Sequence, residues 1–155
     1  MNVWLLVAAA ALVALAGLFS AADAALSTFS RARAEELLAE GRPGAKRLVV
    51  VLDDLPRHLN TALLLRLLCE IAAIVLVTLE LDVAYDSWWP TVLTAIGVML
   101  VVSFVAIGVA PRTIGRQHAD RVALGSAAPL AAVTTVLGPI PRLLILVGNA
   151  LTPGK

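Results

Sequence analysis

The chain has 155 residues, of which 60% are hydrophobic, 15% are charged and 5% are aromatic, and its formal net charge is +1. The charged share lies well below the roughly 25% of soluble domains, and the mean hydropathy of +0.92 excludes intrinsic disorder. The near-neutral charge gives no surface for nucleic acid. We therefore predict an all-α integral membrane protein whose main partner is the lipid bilayer.

The first predicted span covers about residues 2–26. Residues 2–22 carry no charge, enough to cross a hydrocarbon core of about 30 Å as a helix. A cleaved signal peptide is the alternative, because residues 22–24 resemble a cleavage site, although no basic residue precedes the apolar run. Small residues recur every three or four positions and predict a helix-packing face: Ala10, Ala14, Gly17 and Ala21.

The polar stretch that follows predicts short juxtamembrane helices over about residues 30–53. Ser30 can cap the first of them, and Gly41 and the Pro43-Gly44 pair end it. The second span covers about residues 59–79 and contains Arg66 and Glu70.

The third span, about residues 88–110, is uncharged and begins with the interfacial pair Trp88-Trp89. Beyond it we predict two interfacial helices, at about 127–137 and 142–151, because Pro139 and Pro141 interrupt the apolar run. A fourth span over residues 122–141 is the alternative on length alone.

Basic residues in the short connections predict the orientation. The segment after the first span has six, the next connection has none, and the segment after the third span has three, which are Arg112, Arg116 and Arg121. We therefore expect the N-terminus outside and both basic segments inside, in a multi-pass protein of the cell inner (plasma) membrane.

No enzyme motif is present, so we predict neither catalysis nor an organic cofactor. His58 and His118 lie in different polar segments without a second ligand at metal spacing, which favours two solvated histidines. Cys69 is most simply a small apolar residue.

Ionisable residues inside spans are costly and are functional candidates by default. Glu70 lies near the middle of the second span, and Arg66 lies one turn earlier on the same face. The carboxylate either belongs to an ion pathway or forms a structural pair with Arg66. At the inner end of the first span, Ser20 and Asp23 offer oxygen ligands of the kind that Mg²⁺ prefers, although Asp23 also suits a helix end in the head-group zone.

Four sequence segments resemble the transmembrane domain of the CorC/CNNM (hemolysin-like) magnesium transporters. Residues 17–26 read GLFSAADAAL, against the family's GFFSASETAL, and residues 111–116 with 121–123 read PRTIGR and RVA, against PKTLAxx and RVA. Residues 30–37 and 44–48 resemble the family's juxtamembrane helices. The resemblance implies three spans, a homodimer and Mg²⁺ as the transported ion.

The sequence departs from the family at several ion-site positions. Gly108 stands where the family's third span carries Glu, and Arg66-Leu67 stands where the second span carries Gly-Asn. Ser20 is retained, Asp23 takes the acidic position beside it, and Pro111 still ends the third span. The cytoplasmic CBS modules that usually follow this domain do not occur within the 155 residues.

Three hypotheses remain open. The chain is the membrane domain of a Mg²⁺ or other divalent cation transporter, with Ser20, Asp23 and Glu70 as candidate ligands. It is alternatively a non-transporting member that anchors or assembles with other membrane subunits, or a proton-coupled carrier that uses Glu70. The residues given structural roles are Gly17, Ala21, Arg66, Gly108 and Pro111.

The predicted orientation places the acidic connection and the first basic connection on opposite sides of the membrane. In a Cys69→Ser background, Asp82→Cys should react with an impermeant maleimide in intact cells, and Arg42→Cys should react only after permeabilisation. Labelling of both from the same side would contradict the three-span orientation.

Overall fold

The computed structural model describes residues 2–152, and every regular element within that range is helical. Three helices are long and apolar enough to cross a membrane: Val3–Ser27, Leu55–Ala84 and the continuous helix Trp88–Gln117. The prediction of an all-α membrane protein with three spans is confirmed. We name the elements α1 (Val3–Ser27), α2 (Arg31–Ala39), α3 (Ala45–Asp53), α4 (Leu55–Ala84), α5 (Trp88–Val102), a π-helix (Ser103–Val109), α6 (Ala110–Gln117), α7 (Ala119–Leu137) and α8 (Pro139–Leu151).

The two later membrane helices are longer than their hydropathy suggested. Helix α4 covers four more residues before 59 and five more after 79, and the third-span helix continues from α5 through the π-helix and α6 to Gln117. Helix α1 packs against both of them. Their remaining surfaces are apolar and open, with Ile71, Leu100 and Phe104 each more than half exposed, as expected for faces that contact lipid.

The juxtamembrane helices begin and end where their sequence chemistry predicts. The Ser30 hydroxyl accepts a hydrogen bond from the Arg33 backbone N–H at 3.0 Å, which confirms the predicted cap. Gly41 and Gly44 adopt φ values of 73° and 84°, a region that glycine enters without steric cost. The chain therefore turns between α2 and α3 within five residues, 40–44.

The best-packed core lies at this end of the bundle rather than between the spans. Leu26 of α1, Leu37 of α2 and Leu48 of α3 are each completely buried, together with Ala127 of α7. Helices α2 and α3 thus close over the end of α1 and against α7, forming a cap on the membrane bundle.

Ion pairs tie the outer face of this cap together. Arg33 donates to Asp120 of α7 at 2.8 Å and to Glu36 at 3.0 Å, and Arg31 pairs with Asp53 of α3. The hydrogen bond that Arg33 donates to the Asp120 carboxylate raises the pKa of the Arg33 guanidinium above its ordinary value. These pairs are partly exposed, so they fix the orientation of α2 more than they stabilise the fold.

Helices α7 and α8 form a bent pair. Helix α7 begins at Ala119, earlier than the predicted 127, and α8 begins at Pro139. They meet at 72°, and together they are apolar enough to count as one broken span. The break falls at Gly138 and Pro139, because proline has no N–H to continue the hydrogen bonding of α7 and is well placed in the first turn of α8.

Glu80, on the last turn of α4, closes the opposite end of the bundle. Its side chain is only 4% exposed, and it accepts a hydrogen bond from the Asn2 backbone N–H at 2.7 Å. The Asn2 side chain in turn caps α1 through Trp4. A carboxylate at a helix N-terminus interacts favourably with the helix dipole, so Glu80 secures α1 to α4.

Helix α1 approaches the third-span helix closely enough to exclude any side chain at two glycines. A Cβ on Gly17 would lie 2.9 Å from the Ala106 carbonyl oxygen and 3.3 Å from Pro111 Cγ. A Cβ on Gly115 would overlap the Ala21 carbonyl group. Small residues at such crossings let helix backbones touch, which is the main way that membrane helices gain packing contacts.

Gly115→Ala should therefore destabilise the bundle by about 1–3 kcal/mol, the usual cost of overpacking, because its neighbour is rigid backbone. We expect a lower thermal unfolding midpoint in detergent. Gly97→Ala is the matched control, since a Cβ there meets nothing within 4 Å. Equal midpoints for the two variants would contradict the close approach of α6 to α1.

Candidate functional site

The three spans meet at one small apolar cluster. Ala16 of α1, Cys69 of α4 and Ile107 of the π-helix contact one another, and all three are buried. Cys69 is thus a small core residue, as the sequence indicated. The cluster fixes the depth at which residues from all three spans come together.

Ser20 lies one helical turn beyond Ala16 on the same face of α1. Its side chain is completely buried, and its hydroxyl oxygen has no hydrogen-bond partner among the described residues. An unpaired buried hydroxyl costs free energy. Ser20 is therefore a polar group held inside the bundle whose hydroxyl makes no hydrogen bond to the described residues.

The π-helix places a second polar group of this kind in the third span. Ser103, its first residue, also has a buried hydroxyl oxygen with no partner among residues 2–152. The hydrogen bonding typical of a π-helix, between residues five apart, extends to Ala110, whose N–H donates to the Val105 carbonyl. Such π-segments are rare and occur often at functional sites.

Glu70 is next to Cys69 on α4 and is partly exposed. Its carboxylate forms no ion pair among the described residues, where the four ion pairs all involve Arg31 or Arg33. Arg66 is also partly exposed, and its buried Nε atom has no hydrogen-bond partner within that range. The i,i+4 pair between Arg66 and Glu70, one of the two sequence interpretations, is thus not formed.

Asp23 lies one turn beyond Ser20 and is partly exposed. The structure brings no three His, Cys, Asp or Glu side chains together as a metal site anywhere in residues 2–152. Ser20 and Ser103 each lie one turn from the three-span cluster along their own helices, and Glu70 is next to it in sequence. Such a set of oxygen atoms can line a path for a cation that keeps part of its water shell.

The residues predicted to have structural roles divide into two groups. Gly17, Ala21 and Pro111 meet at the crossing of α1 with the third-span helix, so the small-residue face of α1 is used inside the chain. Gly108 lies in the π-helix away from that crossing, and a Cβ there would meet only the Ser103 carbonyl, at 3.4 Å. It leaves room in the helix where the resemblance would place a carboxylate.

Two features were not predicted from the sequence: the burial of His58 and the π-helix. His58, predicted to be solvated, is 7% exposed, and its Nδ1 atom lies 2.8 Å from the Asp54 carbonyl oxygen. That prediction was wrong because α4 begins at Leu55 and carries His58 into the bundle. His118 is exposed, as predicted. The π-helix was also missed, since no residue pattern distinguishes it from an α-helix.

A family model described as the Cyclin M transmembrane N-terminal domain matches residues 7–154 of the chain. Two UPF0053 proteins, of Mycobacterium bovis and Mycobacterium tuberculosis, are each 48% identical over 144 residues, covering 93% of this chain and 33% of theirs. A UPF0053 protein of Synechocystis is 26% identical over 139 residues, covering 90% of this chain and 40% of its own. The chain thus spans about a third of the length of the curated relatives it matches.

Ser20→Ala should stabilise the chain in the absence of added cations, because it removes an unpaired hydroxyl whose burial costs about 1–3 kcal/mol. We expect a higher thermal unfolding midpoint in detergent with a chelator present. Thr61→Val is the matched control, since the buried Thr61 hydroxyl already donates to the Arg57 carbonyl at 3.0 Å and its removal brings no such gain. A lower midpoint for Ser20→Ala would mean that the hydroxyl stabilises the fold.

Proposed function

Because this chain belongs to the Cyclin M (CNNM) transmembrane-domain family, we propose that it is the membrane domain of a divalent cation transporter with Mg²⁺ as its cargo. The observation that carries the proposal is the buried, unpaired hydroxyl of Ser20 beside the cluster where all three spans meet. The family resemblance suggests Mg²⁺ as the ion, and the polar groups near the three-span cluster are the proposed ligands.

The chemistry required is that of a hard cation. Mg²⁺ takes oxygen ligands in octahedral geometry and gives up its water reluctantly, so hydroxyl groups and one or two carboxylates suit it. Ser20 contributes a neutral oxygen, and the unpaired Glu70 carboxylate contributes formal negative charge in α4. Asp23 extends the set by one turn towards the cytoplasmic end predicted for α1.

Acidic side chains are few at the depth of the three-span cluster. The third-span helix carries no acidic residue anywhere in Trp88–Gln117, and Gly108 stands where the family resemblance places Glu. A divalent ion in a medium of low dielectric constant needs compensating charge nearby. Glu70 is the carboxylate that would meet this need, and it forms no ion pair with Arg66 among the described residues.

We also propose a homodimer in the inner membrane, as the family resemblance implies. Gly17 and Ala21 are already used inside the chain, so they do not form the dimer interface in this proposal. The third-span helix has an unpartnered apolar surface, with Ile96, Leu100 and Phe104 all more than half exposed. We assign the dimer contact to that surface.

A second role, as an assembly subunit without transport, is favoured by one observation. The described residues bring no three acidic, histidine or cysteine side chains together, so the ion-binding power of this domain depends on Glu70 and neutral oxygens. In this alternative the same exposed spans contact other membrane subunits. It requires no enzymatic activity, and neither does the transporter.

Mg²⁺ binding and Mg²⁺ flux test the proposal together. The thermal midpoint of the wild-type chain in detergent should rise with Mg²⁺, since a ligand at about 100 times its Kd adds roughly 2.7 kcal/mol. Vesicles reconstituted with the chain and loaded with a Mg²⁺-sensitive dye should show flux. Glu70→Gln should abolish both effects, Ser20→Ala should weaken both, and Asp23→Asn should do less.

Glu40→Gln is the matched control, because Glu40 follows α2 in an exposed position and forms no ion pair among the described residues. It should bind and transport Mg²⁺ as the wild type does. If the wild type shows neither stabilisation nor flux, and Glu70→Gln only lowers the midpoint, the domain is an assembly subunit.

A further inference from the structure

An apolar cavity of about 400 Å³ lies between α1, α6 and α7. Leu18, Phe19 and Ala22 of α1 form one wall, and Gly125 and Pro129 of α7 form another. Its volume is within the range of about 300–1,000 Å³ typical of small-molecule sites. Phe19 also packs against the three-span cluster, but Ser20, Asp23 and Glu70, the residues of the proposed cation path, do not line the cavity.

The cavity is open to the lipid side of the first span. Leu18 lines the cavity and is 66% exposed, although it lies in the membrane-spanning helix α1. A molecule that enters from the bilayer therefore reaches the cavity without crossing water.

Arg121 is the single charged residue that lines this mostly apolar space, and Ser126 is the one other polar side chain there. Arg121, near the start of α7, is exposed and forms neither an ion pair nor a side-chain hydrogen bond among the described residues, where Arg31 and Arg33 account for every ion pair. No acidic side chain lines the cavity. The basic residues around it predict that this end lies at the inner membrane surface, where anionic lipid head groups are concentrated.

We propose that this cavity binds an anionic glycerophospholipid, with one acyl chain between α1 and α7 and the phosphate against Arg121. The apolar walls match a hydrocarbon chain, and the guanidinium matches a phosphate in charge and geometry. A cation does not suit the site, because the lining has no carboxylate and includes Arg121. A water-soluble anion without an apolar part would leave the walls uncovered.

Gly125 gives a way to fill the cavity without disturbing the fold. A Cβ at Gly125 would meet nothing within 4 Å, and Gly125 lies inside helix α7, where leucine has a better helix propensity than glycine. Gly125→Leu should therefore occupy the cavity with its own side chain. Gly148→Leu on α8 is the matched control, since Gly148 is also helical, exposed and open.

The test is native mass spectrometry of the purified chain with two lipids of identical acyl chains, phosphatidylglycerol and phosphatidylcholine. The wild type should retain phosphatidylglycerol about fivefold more tightly, as expected for one arginine at a membrane surface. Arg121→Gln should remove that preference. Arg42→Gln, the same charge change in the exposed turn before α3, should keep it.

Gly125→Leu should lower retention of both lipids, whereas Gly148→Leu should not, and thermal unfolding should show both variants folded. Equal retention in Gly125→Leu and the wild type would exclude this cavity as the lipid site. An unchanged lipid preference in Arg121→Gln would exclude Arg121 as the phosphate ligand. Neither outcome depends on whether the domain transports Mg²⁺.

Discussion

The bundle depends on the contact of α1 with the backbone of the third-span helix. Lipid tails are as apolar as the side chains of the spans, so the hydrophobic effect does not hold membrane helices together and close packing has to. Here that packing reaches backbone level at Gly17 and Gly115. Bulkier residues at either point would separate the helices and move Ser20 out of its buried position.

The same contact explains why polar groups are tolerated inside the bundle. The hydroxyl groups of Ser20 and Ser103 are buried and unpaired among the described residues, a cost that a tightly packed scaffold can carry at a functional site. The π-helix lies in the stretch that packs against Gly17, and Ala106, whose carbonyl faces Gly17, belongs to it. Close packing and irregular backbone therefore occur at one place along the third span.

Hydropathy alone predicted the three spans, because lipid forces every spanning segment to be apolar and helical. The Ser30 cap and the glycine turn after α2 were equally accessible, since both rest on local chemistry. Burial and side-chain pairing between helices could not be predicted from the sequence in this way. The burial of His58 and Glu80 depends on which helix lies opposite them, and the unpaired state of Arg66 and Glu70 depends on side-chain directions that helical spacing does not determine. Candidate ligands could be named from the sequence, but not which of them are buried.

The pairing of Arg33 with Asp120 has a mechanical consequence. Helix α2 follows the first span directly, and α7 follows the third-span helix. The ion pair therefore joins the first and third spans through their neighbouring helices, in addition to the direct contact of Gly115 with Ala21. The first and third spans are thus connected at two separate points. Sliding one past the other by a helical turn, about 5.4 Å, would carry Arg33 out of hydrogen-bond reach unless α2 tilted with it. Sliding of the first span along the third-span helix therefore requires a matching movement of α2.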